Sequence, residues 1–109
     1  MNIAKTPKPP YYAVIFTTVK SENQTGYAEM NARMFELAQE QKGYLGIESA
    51  KSEIGISVTY WETLEDIARW KSHAEHQIAQ AKGYEIWYQS FATRVCKVER
   101  DNIFEKELK

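Results

Sequence analysis

The chain has 109 residues, 43% of them apolar and 27% charged, with a formal net charge of −1 and one cysteine, Cys96. That length suits one domain, and the near-neutral charge offers no basic footprint for nucleic acid or an anionic membrane. No apolar run reaches the roughly 18 residues of a membrane span, and a lone cysteine excludes an internal disulfide or a cysteine-based zinc knuckle, so a reducing cytoplasm is the expected setting.

Residues 1–10, MNIAKTPKPP, lack the apolar centre of a signal peptide. They are expected to form a flexible tail or to drape over a surface. YYAVIFTTVK, residues 11–20, reads as a strand, β-branched and aromatic almost throughout. Ala13, Ile15, Thr17 and Val19 point one way, and Val14, Phe16 and Thr18 the other. Neither set is charged, so both faces should be covered. SENQTG breaks the pattern, and a helical period follows from Tyr27 through Met30, Met34, Leu37 and Ala38, with Phe35 at its edge. Gly43 is expected to cap that helix. The two methionines read as core packing. YLGIESAK (44–51) and GISVTYWE (55–62) predict a hairpin, the second strand setting Ile56, Val58 and Tyr60 against Ser57, Thr59 and Trp61.

Thr63 and Asp66 make a capping-box pattern that starts a second helix. Ser72 and Glu75 repeat the pattern nine residues on, which predicts two helical pieces broken at Ser72, the second ended by Gly83. A short aromatic link and a final strand over 90–100 follow, then a charged tail, 102–109. The order strand, helix, strand, strand, helix, strand over residues 11–101 predicts an α+β, ferredoxin-like βαββαβ sandwich. Its four-stranded antiparallel sheet would carry both helices on one face. The other face would be bare and apolar, which argues for two copies packed sheet to sheet as a dimeric α/β barrel.

Both histidines lie in RWKSHAEHQ, residues 69–77. With Ser72 as N-cap, His73 would sit at a helix start, where free N–H groups and the helix dipole favour neutral imidazole. His76, three residues on, would project beside it. A metal site would need a third ligand, with Glu48 the nearest candidate by type. The pair could instead serve a pocket, or only hydrogen-bond at a helix end or dimer rim. Trp61, Trp70, Trp87 and Tyr88 could line a cavity for a planar ligand or fill the core. Glu48 and Arg94 lie inside predicted strands, where a charge needs a partner or water. They form either a polar floor or a solvated edge.

The stretches YYAVIFTTVKSEN, GYLGIESAKSEIGISVTYWETLEDIARWKSHAEHQIAQAKG and WYQSFATRVCKVERDN resemble the antibiotic biosynthesis monooxygenase superfamily of dimeric α/β-barrel proteins, in the branch with W-K-x-H-A-E-H. The resemblance covers about residues 11–101. It implies a homodimer and, for the quinone-forming members, oxidation of a planar aromatic molecule without a cofactor. Trp70, Tyr60 and Arg94 match in type the residues those members place around their substrate. The haem-degrading members carry an Asn on the first strand and an axial His ten residues after the helix Trp. Here the first strand has no Asn, and Gln80 stands ten residues after Trp70, with His76 one turn earlier.

The expected activity is therefore that of a cofactor-independent monooxygenase, with His73 as base and Arg94 as stabiliser of oxyanion charge. Trp70, His76, Trp61, Tyr60, Trp87 and Glu48 are expected to contact substrate. The rival readings are a haem-binding or haem-degrading protein of the same fold, and a non-catalytic dimer that binds a small ligand.

Overall fold

A computed structural model describes residues 2–80 and 82–106, apart from the side chain of Gln80. The element order is β1 (Tyr11–Lys20), α1 (Tyr27–Gln39), β2 (Tyr44–Lys51), β3 (Gly55–Trp61), α2 (Leu64–Gln80), the short α3 (Gly83–Ile86) and β4 (Tyr88–Val98). The strands pair antiparallel in the order β2-β3-β1-β4. This is the ferredoxin-like sandwich that the alternation of helical and strand periods predicts.

Local chemistry explains most boundaries. Thr63 caps α2, its Oγ1 accepting the Asp66 N–H at 3.0 Å. The Asp66 carboxylate accepts from Arg69 at 3.1 Å, and the Thr63 hydroxyl with Arg69 holds it below the usual carboxylate range against the opposing effect of burial. Gly43 does not cap α1, which ends at Gln39. It sits three residues past the C-cap Glu40 at φ 85°, with the Asp66 carboxylate packed where a Cβ would project. Only glycine meets both demands.

Two expectations about α2 are overturned. The helix runs unbroken from Leu64 to Gln80, so Ser72 is an interior position and not an N-cap. A capping box needs a chain that has left the helix, and nothing in Lys71–Ser72 breaks the backbone ladder. His73 consequently has no helix N-terminus beneath it, and the dipole argument for its neutral form does not apply. Gly83 does not end α2 but opens α3, the turn expected as an aromatic link. Lys82 takes φ 57° between the two helices, and the Trp87 ring lies on Gly83 where any side chain would overlap it.

The sheet has two unlike faces. In antiparallel pairing, residues directly opposite share a face. One face carries the rows Ile47–Thr59–Val14–Val95 and Ser49–Ser57–Phe16–Thr93, and it meets the helices. The other carries Gly46–Tyr60–Ala13–Cys96 and Glu48–Val58–Ile15–Arg94. On β3 the hydroxyl-bearing set thus faces the protein's own helices and the apolar set faces away. An ordinary two-layer core would place them the other way round.

The buried side chains follow from this inversion. At one end of the helix layer, Trp61 is fully buried beside Ile67 and Ala38; at the other, Trp87 is buried. Apart from Ala38 at the Trp61 end, α1 buries no residue. The helices are pinned to the sheet at both ends and stand away from it in the middle.

Candidate functional site: a cavity between sheet and helices

The gap between the anchors is a cavity of about 990 Å³. Its floor includes Val14 and Phe16 of β1, Ser57 and Thr59 of β3, and Thr93 of β4. Met30 and Met34 of α1, and Trp70, Ala74 and Ile78 of α2, line the helix side. The methionines expected as core packing are therefore wall residues, where a flexible, polarisable side chain can shape itself to a ligand. A few hydroxyls in a mostly apolar enclosure of this size are the usual make-up of a small-molecule site. Tyr88 closes the Tyr27 end; burial raises its phenol well above the ordinary value, so it stays protonated.

Trp70 is the cavity's link to the core. Its ring stacks on Trp61 at 6.1 Å, with 25° between the planes. Trp61 is held edge-on by Tyr44 at 5.7 Å and donates its N–H to Thr59 Oγ1 at 2.9 Å. Trp61 therefore supports the site from beneath and does not line it. Trp87 lines the other end, its N–H donated to the Thr25 carbonyl at 2.7 Å.

His73 is half-buried beside the site, its ring 5.9 Å from that of Trp70 and tilted by 42°. It is not on the cavity wall. His76 is exposed and does not reach the wall either. The wall thus offers no imidazole for a haem iron among the described residues, and the side chain of Gln80 lies outside that set. Among the described residues no three His, Cys, Asp or Glu side chains gather as metal ligands.

Tyr60, Glu48 and Arg94 do not share the enclosure with Trp70. All three point to the opposite face of the sheet, because strand residues alternate and their register parity is that of Ile15 and Ala13. Glu48 and Arg94 stand in one row, but on the two outer strands. Three strand spacings, about 14 Å, separate them, so they form neither an ion pair nor a common floor. Glu48 instead accepts the Tyr60 hydroxyl at 2.6 Å and the Ala4 N–H at 2.9 Å. Burial first, and then this hydrogen bond, pushes the Tyr60 phenol up to about 12. Tyr11 donates to Asp101 at 2.6 Å and accepts from Thr6 at 3.0 Å. These contacts drape the N-terminal tail over one end of the apolar face, above a separate cavity of about 240 Å³. Arg94 and Cys96 are exposed farther along it.

The wall residues that sequence reasoning passed over are Ser57, Thr59, Thr93 and the methionines. The signal was present in β3, whose alternation is strict. What was missing was the face each set would take.

The model of the antibiotic biosynthesis monooxygenase family matches residues 10–82. An uncharacterized protein of Bacillus subtilis (strain 168), YqjZ, is 51% identical over 106 residues, spanning 95% of this chain and 93% of its own length. Among solved structures, the PA3566 protein of Pseudomonas aeruginosa superposes with a TM-score of 0.65 at 12% identity, over 88% of this chain and 99% of that one. SnoaB, a cofactor-independent oxygenase from Streptomyces nogalater, superposes with a TM-score of 0.64 at 6% identity, over 90% of this chain and 100% of its own. At such identities these two likenesses speak for the fold, while the family model and the Bacillus relative speak for descent. Fold, match and relative agree: the chain belongs to the antibiotic biosynthesis monooxygenase family.

Proposed function

We propose that the protein is a cofactor-independent monooxygenase that oxidises a planar aromatic molecule held between the sheet and the helices. The observation that carries this reading is the cavity of about 990 Å³, with its hydroxyl-bearing floor and its aromatic and methionine walls. Its family and its fold neighbour SnoaB, a cofactor-independent oxygenase, support it.

The chemistry asks little of the protein. An electron-rich phenol or its keto tautomer loses a proton and becomes an anion able to pass electrons to O2. One oxygen atom becomes a ring carbonyl and the other leaves as water, so the ring carbon and its two hydrogens supply all four electrons and no outside reductant is needed. The site has to orient the ring, exclude water and stabilise the oxyanion. Trp70 stacks on or abuts the ring, and its indole N–H, with the Thr59 and Ser57 hydroxyls, meets developing negative charge. His73, half-buried against Trp70 but off the cavity wall, accepts the proton at that end through a bridging water and not by direct contact. Arg94, on the far face, takes no part.

The apolar far face is covered by a second copy, giving the homodimer its barrel centre. Ile15 and Val58 lie in the middle of it, half-exposed in the single chain. Among the described residues no helix is long and apolar enough to cross a membrane, and a cytoplasmic site of action suits the unpaired Cys96 thiol.

The test is oxygen uptake with anthrone under 18O2. The reading requires anthraquinone carrying one labelled carbonyl oxygen, with the rate lowered at least tenfold by Trp70→Phe or His73→Ala. Anthrone that neither binds nor turns over in the wild type would overturn it.

A further inference from the structure

Lys20 ends β1 and Lys51 ends β2, two strands apart, yet they meet at one rim of the cavity. Both lie on the helix-facing side of the sheet, Lys20 in step with Phe16 and Thr18, and Lys51 in step with Ile47 and Ser49. Gly55 lies between Lys51 and Thr18 in the pairing, and the Thr18 hydroxyl occupies the place its side chain would take. Lys51 Nζ stands 5.8 Å above the centre of the Tyr27 ring, which in turn packs edge-on against Trp87 and Tyr88. The lysines are close enough that Lys51, a facing donor and like charge, holds the Lys20 ammonium below its ordinary value.

Two like charges side by side repel each other, and solvent only partly screens them. Neither forms an ion pair among the described residues. The other charges on the cavity wall are placed elsewhere. Lys71 pairs with Glu75 at 3.7 Å, and Glu36 lies nine residues along α1 from Tyr27, about 13 Å away. Among the described residues the Tyr27 end is therefore where the wall gathers positive charge without a carboxylate partner, and aromatic rings lie directly beneath it.

We propose that Lys20 and Lys51 form an anion subsite at the Tyr27 end of the cavity, so that the ligand is a ring compound bearing a carboxylate. This rests on the reading of the cavity as a substrate site and adds the class of substrate. The ring system lies against Met30, Met34 and Trp70, and the carboxylate is directed outward to the two ammonium groups. The long lysine stems let the charge stay wet until the ligand arrives.

The test compares anthraquinone-2-carboxylate with its neutral counterpart, 2-(hydroxymethyl)anthraquinone, by quenching of tryptophan fluorescence at low salt. The wild type should bind the carboxylate at least tenfold more tightly, and 0.5 M salt should erase most of the difference. Lys20→Met combined with Lys51→Met should bring the carboxylate to the affinity of the neutral compound and leave the neutral compound's affinity unchanged. Both side chains are exposed, so the variant should fold, and its melting temperature verifies this. Equal wild-type affinity for the two compounds would overturn the anion subsite while leaving the cavity as a ligand site. Binding of neither would overturn both. An equal loss for both compounds in the double variant would also overturn it, because the lysines would then be shaping the cavity and not reading charge.

Discussion

Trp70 on the cavity wall and Trp61 in the core lie 6.1 Å apart, nearly parallel, so a ring that lines the cavity rests on one that solvent never touches. The two should separate stability from binding. Trp61→Ala is expected to cost about 3–5 kcal/mol, the usual loss for a buried large aromatic, measured by urea unfolding. Trp70→Phe keeps an aromatic surface and should cost under about 1.5 kcal/mol, while anthraquinone affinity falls severalfold. Comparable destabilisation by both changes would show that Trp70 is core.

The continuity of α2 can be checked by paired substitutions at the two serine/threonine positions of the capping-box patterns. Thr63→Ala removes a real cap bond and should cost about 1 kcal/mol. Ser72→Ala falls on an exposed interior position of α2, where alanine is the better helix former. It should be neutral or slightly stabilising. A loss at Ser72 equal to that at Thr63 would restore the broken helix.

Asp66 should make the protein acid-sensitive. Its folded-state carboxyl lies below its ordinary value, chiefly through Thr63 and then Arg69. The carboxylate therefore contributes stability that is fully present above the unfolded value of about 3.9. That contribution is lost as pH falls through the lower folded value. Urea midpoints measured from pH 6 down to pH 2.5 should drop more steeply for the wild type than for Asp66→Asn.

Tyr60 behaves in the opposite sense. Its phenol is raised to about 12 by burial and Glu48, against about 10 in the unfolded chain. The neutral phenol's contribution is complete below pH 10 and is lost as pH rises toward 12. Absorbance at 295 nm should show one late-titrating tyrosinate fewer in Tyr60→Phe, and Glu48→Gln should bring the Tyr60 transition to lower pH.

A sheet face that is apolar and uncovered by its own helices should be the dimer contact. Val58→Asp places a charge at its centre, beside Ile15, and should convert a dimer to a monomer in sedimentation velocity at micromolar concentration. Cys96 lies on the same face. Its thiol should react with a disulfide reagent slowly in the wild type and at least tenfold faster in the Val58→Asp variant.

Periodicity alone settled the order of the four strands and two long helices, the hairpin and the antiparallel sandwich, because helix and strand repeats differ; Thr63 marked a true helix start, whereas Gly43 and Gly83 did not end the helices they follow. It also separated each strand into its two faces. It misjudged Ser72, whose local pattern imitates a cap that only a broken chain could use, and it grouped Tyr60, Glu48 and Arg94 with Trp70 on residue type alone. Which face of β3 would meet the helices was a tertiary decision. The helices are held at Trp61 and Trp87 and stand off between them, so the hydroxyl set lines a space and the apolar set is left for another surface. Pairing across strands, and not proximity in sequence, brought Lys20 to Lys51 and kept Glu48 from Arg94. A one-dimensional pattern carries the parity of a side chain, but the side that parity selects depends on where distant segments make their closest contacts.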